Sequence, residues 1–447
     1  MAEIPESRKV NLTWYFLASL AGYIFLSYFT YRYETEIVLA IYLLLFINYY
    51  RFYKAANEAN FELLFTFGLV FRIVLLTAIP NFSDDFYRFI WDGRLLNAGI
   101  DPFENLPSFY MQTETTPKGI NESLFNKLNS PSYFTIYPPV NQFVFWLSTL
   151  IGQNSIFWSM VVMKLVLIGA EIGSLFILKK FKAISLLNEK SILLYALNPL
   201  VIIELSGNLH FESILIFFLL ITIWYLQKNG LIQAAIAIGL GVLTKLIPLM
   251  LLPLFLRRLK LKKLILFYGI VSAIVVLLTI PFLTEGLISG MTASIGLYFQ
   301  KFEFNAGIYY LLRSVGYSLT GYNQISVIGK VLAITTFLGI LAYSLIYKKR
   351  DSNIAEAFMW VFVIYFSLAT TVHPWYICTI LAMSIFTRYK FPVVWSFLIF
   401  LTYTGYSESG YLENLWVVAL EYVIVFGFLL MELINNSSTQ KNHVVVK

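Results

Sequence analysis

The stretch Asn81–Pro102, NFSDDFYRFIWDGRLLNAGIDP, decides how the chain is read. It follows an apolar run that ends at Pro80. Ser83 is a favoured N-cap, and Asp84 and Asp85 then fall in a first helical turn, where the helix dipole favours anions. Asp84, Arg88 and Asp92 recur at i, i+4 and i+8 and so share one face. Phe86, Phe89, Ile90 and Gly93 lie on another. Asn97–Ala98–Gly99 followed by Pro102 is a helix stop. The spacing predicts a short amphipathic helix with an acidic start, placed where the chain leaves a membrane.

The surrounding composition supports the membrane. Of 447 residues, 59% are hydrophobic, 18% aromatic and only 13% charged. A soluble domain carries more charge and shorter apolar runs. The runs are continuous rather than alternating, which excludes a β-barrel. The expected fold is therefore an all-α polytopic membrane protein. The net charge of +7 comes mostly from Lys and Arg in short connecting loops, the positive-inside pattern rather than a nucleic-acid footprint. A single cysteine, Cys378, rules out an internal disulfide and a cysteine-built metal site. Arg8 and Lys9 precede a long apolar segment with no small-residue cleavage pattern, so the first helix reads as a signal anchor.

Apolar segments run Thr13–Phe29, Glu36–Tyr50, Phe61–Pro80, Ser155–Leu178, Ser191–Leu205, Phe211–Leu226, Leu264–Phe282, Ser326–Tyr347, Ile354–Thr370, Pro374–Phe386, Pro392–Tyr403 and Leu412–Leu433. Leu231–Leu256 is longer, and Thr244–Lys245 interrupts it, which predicts a hairpin of two short helices. The basic clusters are Arg51–Lys54, Lys179–Lys182, Arg257–Lys263, Lys348–Arg350 and Arg388–Lys390. Placing them all inside puts the loops Asn81–Tyr133, Gly207–His210, Thr284–Tyr322, Thr371–His373 and Gly405–Gly410 outside. This requires that Tyr137–Gly152, which begins YPPVNQ, lie against the outer face as a juxtamembrane helix. The expectation is roughly 12–14 transmembrane helices, with juxtamembrane helices in the external loop 81–152. Residues 1–435 then form one integral-membrane domain, and 436–447 a short, unstructured cytoplasmic tail.

The unusual polar residues collect on the outer side: Asp84, Asp85, Asp92, Glu204, Asn208, His210, Lys245 and His373. An acidic pair at a membrane exit suits general-base work, which needs a carboxylate beside the hydroxyl it deprotonates; it is also ordinary helix-end charge. Arg88, Trp91, Asp92 and Arg94 beside it favour the functional reading. The diproline Pro138–Pro139 fixes an extended approach to the next helix. Lys245 is one cation in an apolar stretch, expensive there and hence a candidate for a phosphate partner, against simple snorkelling. Arg72, Lys164 and Glu171 are charged residues in apolar segments; Lys164 and Glu171, at i and i+7, read as a structural pair. His210 and His373 fall at external helix ends, suited to a phosphate or hydroxyl hydrogen bond. Two histidines without an HExxH pattern make no zinc site.

SDDFYRFIWDGRLLNAGIDPF, followed by YPPVNQ, resembles the first external loop of GT-C superfamily glycosyltransferases. The nearest likeness is to bacterial polytopic mannosyltransferase-like proteins, and more distantly to the catalytic subunit of GPI mannosyltransferase I. ALNPLVIIELSGNLHFES, LTKLIPLMLLPLF and VHPWY resemble later blocks in the same order. The chain departs from many relatives in having two transmembrane segments before the one that leads to the acidic motif, and in adjacent rather than D-x-D acidic residues. The resemblance implies an inverting transfer of a hexose, mannose by likeness, from a polyprenyl-phosphate-sugar donor to an acceptor hydroxyl. It implies no cofactor, and no metal site is read. Asp84 or Asp85 would be the base. Lys245, with Arg88, Arg94 and His373, would hold the donor phosphate. Tyr87, Trp91, Asp92, Tyr137, Asn208 and His210 would contact substrate. The expected partners are the lipid donor, a hydroxyl acceptor and membrane lipids. The richness in Lys, Asn, Ile and Phe fits an AT-rich bacterial genome, hence the cytoplasmic membrane with the site facing the periplasm. The competing reading, a transporter or flippase, predicts paired inverted repeats with broken midplane helices, and only one broken hairpin is visible.

Overall fold

A computed structural model describes residues 12–112, 116–284, 286–288, 290, 292, 294, 296, 301–347 and 353–444. Arg8, Lys9 and the basic cluster Lys348–Arg350 lie outside the described residues. The chain is an all-α polytopic membrane protein. Five helices are long and apolar enough to cross a bilayer: Thr35–Ala55, Ile156–Ala183, Leu261–Phe282, Ile325–Ile346 and Leu415–Asn436. A sixth span is the bent pair Glu189–Ala196 and Pro199–Gly207. Six shorter apolar helices accompany them, and a count of 12–14 crossings requires these to cross as well. Leu261–Phe282 has only 11% of its apolar window buried, so its outward face needs lipid rather than protein.

The irregularities follow from residues at the breaks. Asn198 precedes Pro199, its side chain accepts from the Leu200 amide at 3.0 Å, and the span bends there by 43°. A π-helical turn, Ile202–Gly207, follows. Leu231–Thr244 stops at Lys245, where the sequence is interrupted, and a 3₁₀ segment Ile247–Leu254 containing Pro248 and Pro253 takes over in place of the second helix of the expected hairpin. The C-terminal helix runs from Leu415 to Val444, through the stretch read as an unstructured tail. The two-stranded hairpin Tyr406–Ser407 with Gly410–Tyr411 is the only sheet among the described residues.

The expected intrahelical pair of Lys164 with Glu171 does not form. Glu171 instead takes Arg72 Nε at 3.1 Å and the Tyr195 hydroxyl at 2.6 Å. Arg72 also donates to the carbonyls of Gly68 and Ala196, and Lys164 donates to the Leu75 carbonyl at 2.9 Å. A fully buried cation must find carboxylate or carbonyl partners wherever packing brings them, and here all but the Gly68 carbonyl come from other segments of the chain.

Two apolar cores result. The larger joins the N-terminal helices to the C-terminal half, with Tyr42 stacked on Phe400 at 3.7 Å. The smaller is built by the acidic helix Asp85–Asn97 lying on Pro139–Gly152 and Ile156–Ala183. The approach at Gly93 is so close that a Cβ would run into the Phe145 carbonyl.

Candidate functional site

The acidic helix starts one residue later than its sequence suggests. Asp84, not Ser83, is the N-cap, and its side chain makes no capping bond. It turns outward instead: Arg32 Nη2, from the turn between the first two helices, pairs with Asp84 Oδ2 at 2.5 Å. The Arg32 guanidinium also lies 4.9 Å over the Tyr406 ring. Asp85 Oδ1 accepts from Asn129 Nδ2 at 2.7 Å. Both carboxylates thus stand at the rim, Asp84 on the wall of a cavity of about 480 Å³.

Further along the helix the polar residues do something else. Arg88 and Asp92 form the expected i,i+4 pair at 2.8 Å, but both are buried. Arg88 Nη1 donates to the carbonyls of Ser130 and Tyr133, and Asp92 Oδ2 accepts from Thr135 at 2.5 Å and Gln142 at 3.2 Å. Together they fasten the 130–137 segment onto the helix. Arg94 is spent on the Gly119 and Asn154 carbonyls, both at 2.7 Å. Trp91 is fully buried beside Tyr110 and Phe125. The expected phosphate roles of Arg88 and Arg94, and substrate contact by Trp91 and Asp92, do not fit this geometry. Both guanidinium groups are buried and turn N–H groups onto backbone carbonyls, which takes them away from the rim where a phosphate would sit. Tyr87 stays partly exposed, with Lys127 Nζ 5.3 Å over its ring.

A second cluster gathers the remaining polar residues. Lys245 pairs with Glu212 and sits 4.9 Å over the Tyr376 ring. His210 Nδ1 lies 3.0 Å from the Glu204 carbonyl and 3.2 Å from its carboxylate. That carboxylate also accepts from Asn208 at 3.2 Å and from the Tyr403 hydroxyl at 2.8 Å. Trp375 stacks on both imidazoles, at 3.7 Å from His210 and 4.4 Å from His373. His373 keeps part of its surface exposed, yet its setting is deep. Burial first, then the nearby His210 and Lys245, push its pKa down to about 3. His210 Nε2, Glu212 Oε2 and Ser213 Oγ are buried without hydrogen-bond partners among the described residues. Native interiors seldom leave so many polar atoms together unsatisfied.

The two groups adjoin. The Tyr137 hydroxyl is pushed well above its ordinary pKa by burial and then chiefly by Asp85, with Glu212 adding to the effect. Phe89 of the acidic helix packs edge-on against Phe211, the residue between His210 and Glu212, at 5.4 Å, and Tyr137 lies beside them. Its ring packs edge-on against Phe89 and Phe145. On the other side runs a relay of ring contacts: Tyr411 to Phe304 at 4.9 Å, Phe304 to His373 at 4.5 Å, then Trp375 and His210. Phe304 is held by a parallel bridge to Thr371, with its amide 3.1 Å from the Thr370 carbonyl. The loop after Phe282 is also tied to the acidic segment through Thr284 and Asp101 at 2.8 Å.

Arg32, Glu212, Trp375 and Tyr406 were not among the residues singled out from sequence. Arg32 carried a faint signal, a cation in the aromatic turn YFTYRY. Glu212, two residues after His210, carries no signal of its own, since an acidic residue in a first helical turn is ordinary. Residues 18–259 match the family model described as alpha-(1->6)-mannopyranosyltransferase, N-terminal domain. No match was found among curated proteins.

Proposed function

Because the chain belongs to the alpha-(1->6)-mannopyranosyltransferase family, bacterial mannosyltransferases of the GT-C type, we propose that it takes mannose from polyprenyl-phosphate-mannose and transfers it, with inversion, at the extracytoplasmic face. The observation that carries this reading is that the acidic helix packs, through Phe89, on Phe211, the residue between His210 and Glu212, and so adjoins the Lys245 cluster. A carboxylate and a cation a short way apart suit a single displacement.

In that displacement Asp84 or Asp85 takes the proton of the acceptor hydroxyl. The acceptor oxygen forms its bond to C1 of mannose from the face opposite the phosphate. The C1–O bond to phosphate breaks, and polyprenyl phosphate leaves with the electron pair. Lys245 has three N–H donors and gives one to Glu212, so two remain for the leaving phosphate. The uncommitted His210 Nε2 and Ser213 Oγ supply further polar contacts there. Tyr137 packs on Phe89 and Phe145 beside the acidic helix. Family membership also weighs against the transporter or flippase reading.

The test is transfer of radiolabel in membranes containing the chain, with polyprenyl-phosphate-mannose against a nucleotide-sugar donor. Label transfer from the lipid donor alone is expected. Transfer from the nucleotide sugar alone would overturn the donor assignment, and transfer from neither would overturn the reading.

A further inference from the structure

The cavity at Asp84 is separate from the Lys245 cluster. It is enclosed by the turn between the first two helices, the Asn81–Asp84 turn and the two-stranded hairpin. We propose that this cavity is the acceptor subsite and that it holds a neutral hexose unit of a glycan. The inference rests on the transferase reading above and names its second substrate.

Charge argues for a neutral occupant. One cation, Arg32, faces two carboxylates, Asp84 and Glu408. The excess is negative, which disfavours a phosphate here. Volume is adequate: about 480 Å³ falls within the roughly 300–1,000 Å³ of small-molecule sites. The wall chemistry is that of a sugar site. Tyr31 and Tyr33 stack at 5.5 Å with their planes 1° apart, and Tyr406 and Tyr411 stand opposite. Ring faces receive the C–H face of a pyranose, while the Arg32 fork and the carboxylates match its hydroxyls.

The exposed tyrosines alone would also suit an aromatic belt at a membrane interface. The inner wall of this cavity does not. Arg32 is fixed between Asp84 at 2.5 Å and the Tyr406 ring at 4.9 Å, an arrangement a belt does not need. A hydroxyl bound there also lies against Asp84, one of the two carboxylates proposed to take its proton. Arg32 then acts as a positioning residue for Asp84, and the two additional N-terminal helices gain a purpose: they deliver it.

The experiment uses the full chain in nanodiscs, without donor, and saturation-transfer NMR with α-1,6-linked mannobiose as probe. The variant is the Tyr31→Ala, Tyr33→Ala double substitution. These side chains are 53% and 40% exposed, so the fold should tolerate it; an unchanged melting temperature checks this. Mannobiose should bind the native chain, resist displacement by inorganic phosphate, and bind the variant roughly fivefold or more weakly. In transfer assays the variant should raise the acceptor KM and leave the donor KM unchanged. No binding to the native chain, equal binding to both, or displacement by phosphate would overturn the subsite. Equal binding alongside active transfer refutes the subsite only. Binding lost in the variant, with no transfer by the native chain, refutes the transferase reading only.

Discussion

Lys245 shows how one side chain is readied for an anion. Its ammonium is one-fifth exposed, with Glu212 on one side and the Tyr376 face on the other. Exchanging it for Met keeps the length and removes the charge. Lys245→Met should lower transfer by about 10²–10³-fold, the usual cost of losing one donor to developing charge, and raise the donor KM. Unchanged steady-state kinetics would remove Lys245 from the phosphate site. His373 makes a prediction about pH. Its folded pKa of about 3 lies below the ordinary 6.5. Between those values the unfolded chain holds a proton that the folded chain does not. Stability contributed by neutral His373 is therefore full above 6.5 and lost as pH falls toward 3. His373→Asn should flatten the acid side of the melting-temperature profile, and an unaltered slope would contradict this. The helix start that carries Asp84 and Asp85 was legible at this scale because it follows an apolar run. Arg32 was not, since its partner lies 52 residues away and only packing joins them.

The acidic helix and the diproline helix Pro139–Gly152 behave as one unit. Gly93 lets them touch, and the Arg88–Asp92 pair clips the connecting segment to the same surface. Gly93→Ala should destabilise by about 1–3 kcal/mol, the ordinary cost of overpacking, and lower the melting temperature in detergent. A melting temperature at or above the native value would mean the helices can separate freely. Breaks were the legible part of the elements. Lys245 followed by Pro248 ended one helix, and Asn97–Gly99 ended another, because caps and prolines act locally. Partnerships between elements were not. Arg72 bonds a glutamate 99 residues on, and the equally plausible intrahelical pair of Lys164 with Glu171 loses to it. In a membrane interior, geometry across helices decides which carboxylate a cation meets.

For the whole molecule, the all-α membrane architecture followed from composition, since continuous apolar runs admit little else. The crossing number did not, because half of the apolar helices are short and one span is bent. The proposed orientation puts the Glu408 hairpin outside and the basic run Arg257–Lys263 inside. Cys378, the one native cysteine, is buried and silent. Glu408→Cys should therefore react with a membrane-impermeant maleimide in intact cells, and Lys262→Cys only after permeabilisation. The reverse pattern would turn the site toward the cytoplasm, where an extracytoplasmic transfer is impossible.

The most direct test compares the native chain with Asp84→Asn and Asp85→Asn for transfer from radiolabelled polyprenyl-phosphate-mannose, in membranes matched for protein content and donor binding. Loss of transfer in one variant, with donor binding intact, is the result predicted, and it identifies the base. Full transfer by both variants would contradict the account: the acidic helix would then be a scaffold and the chemistry would lie elsewhere.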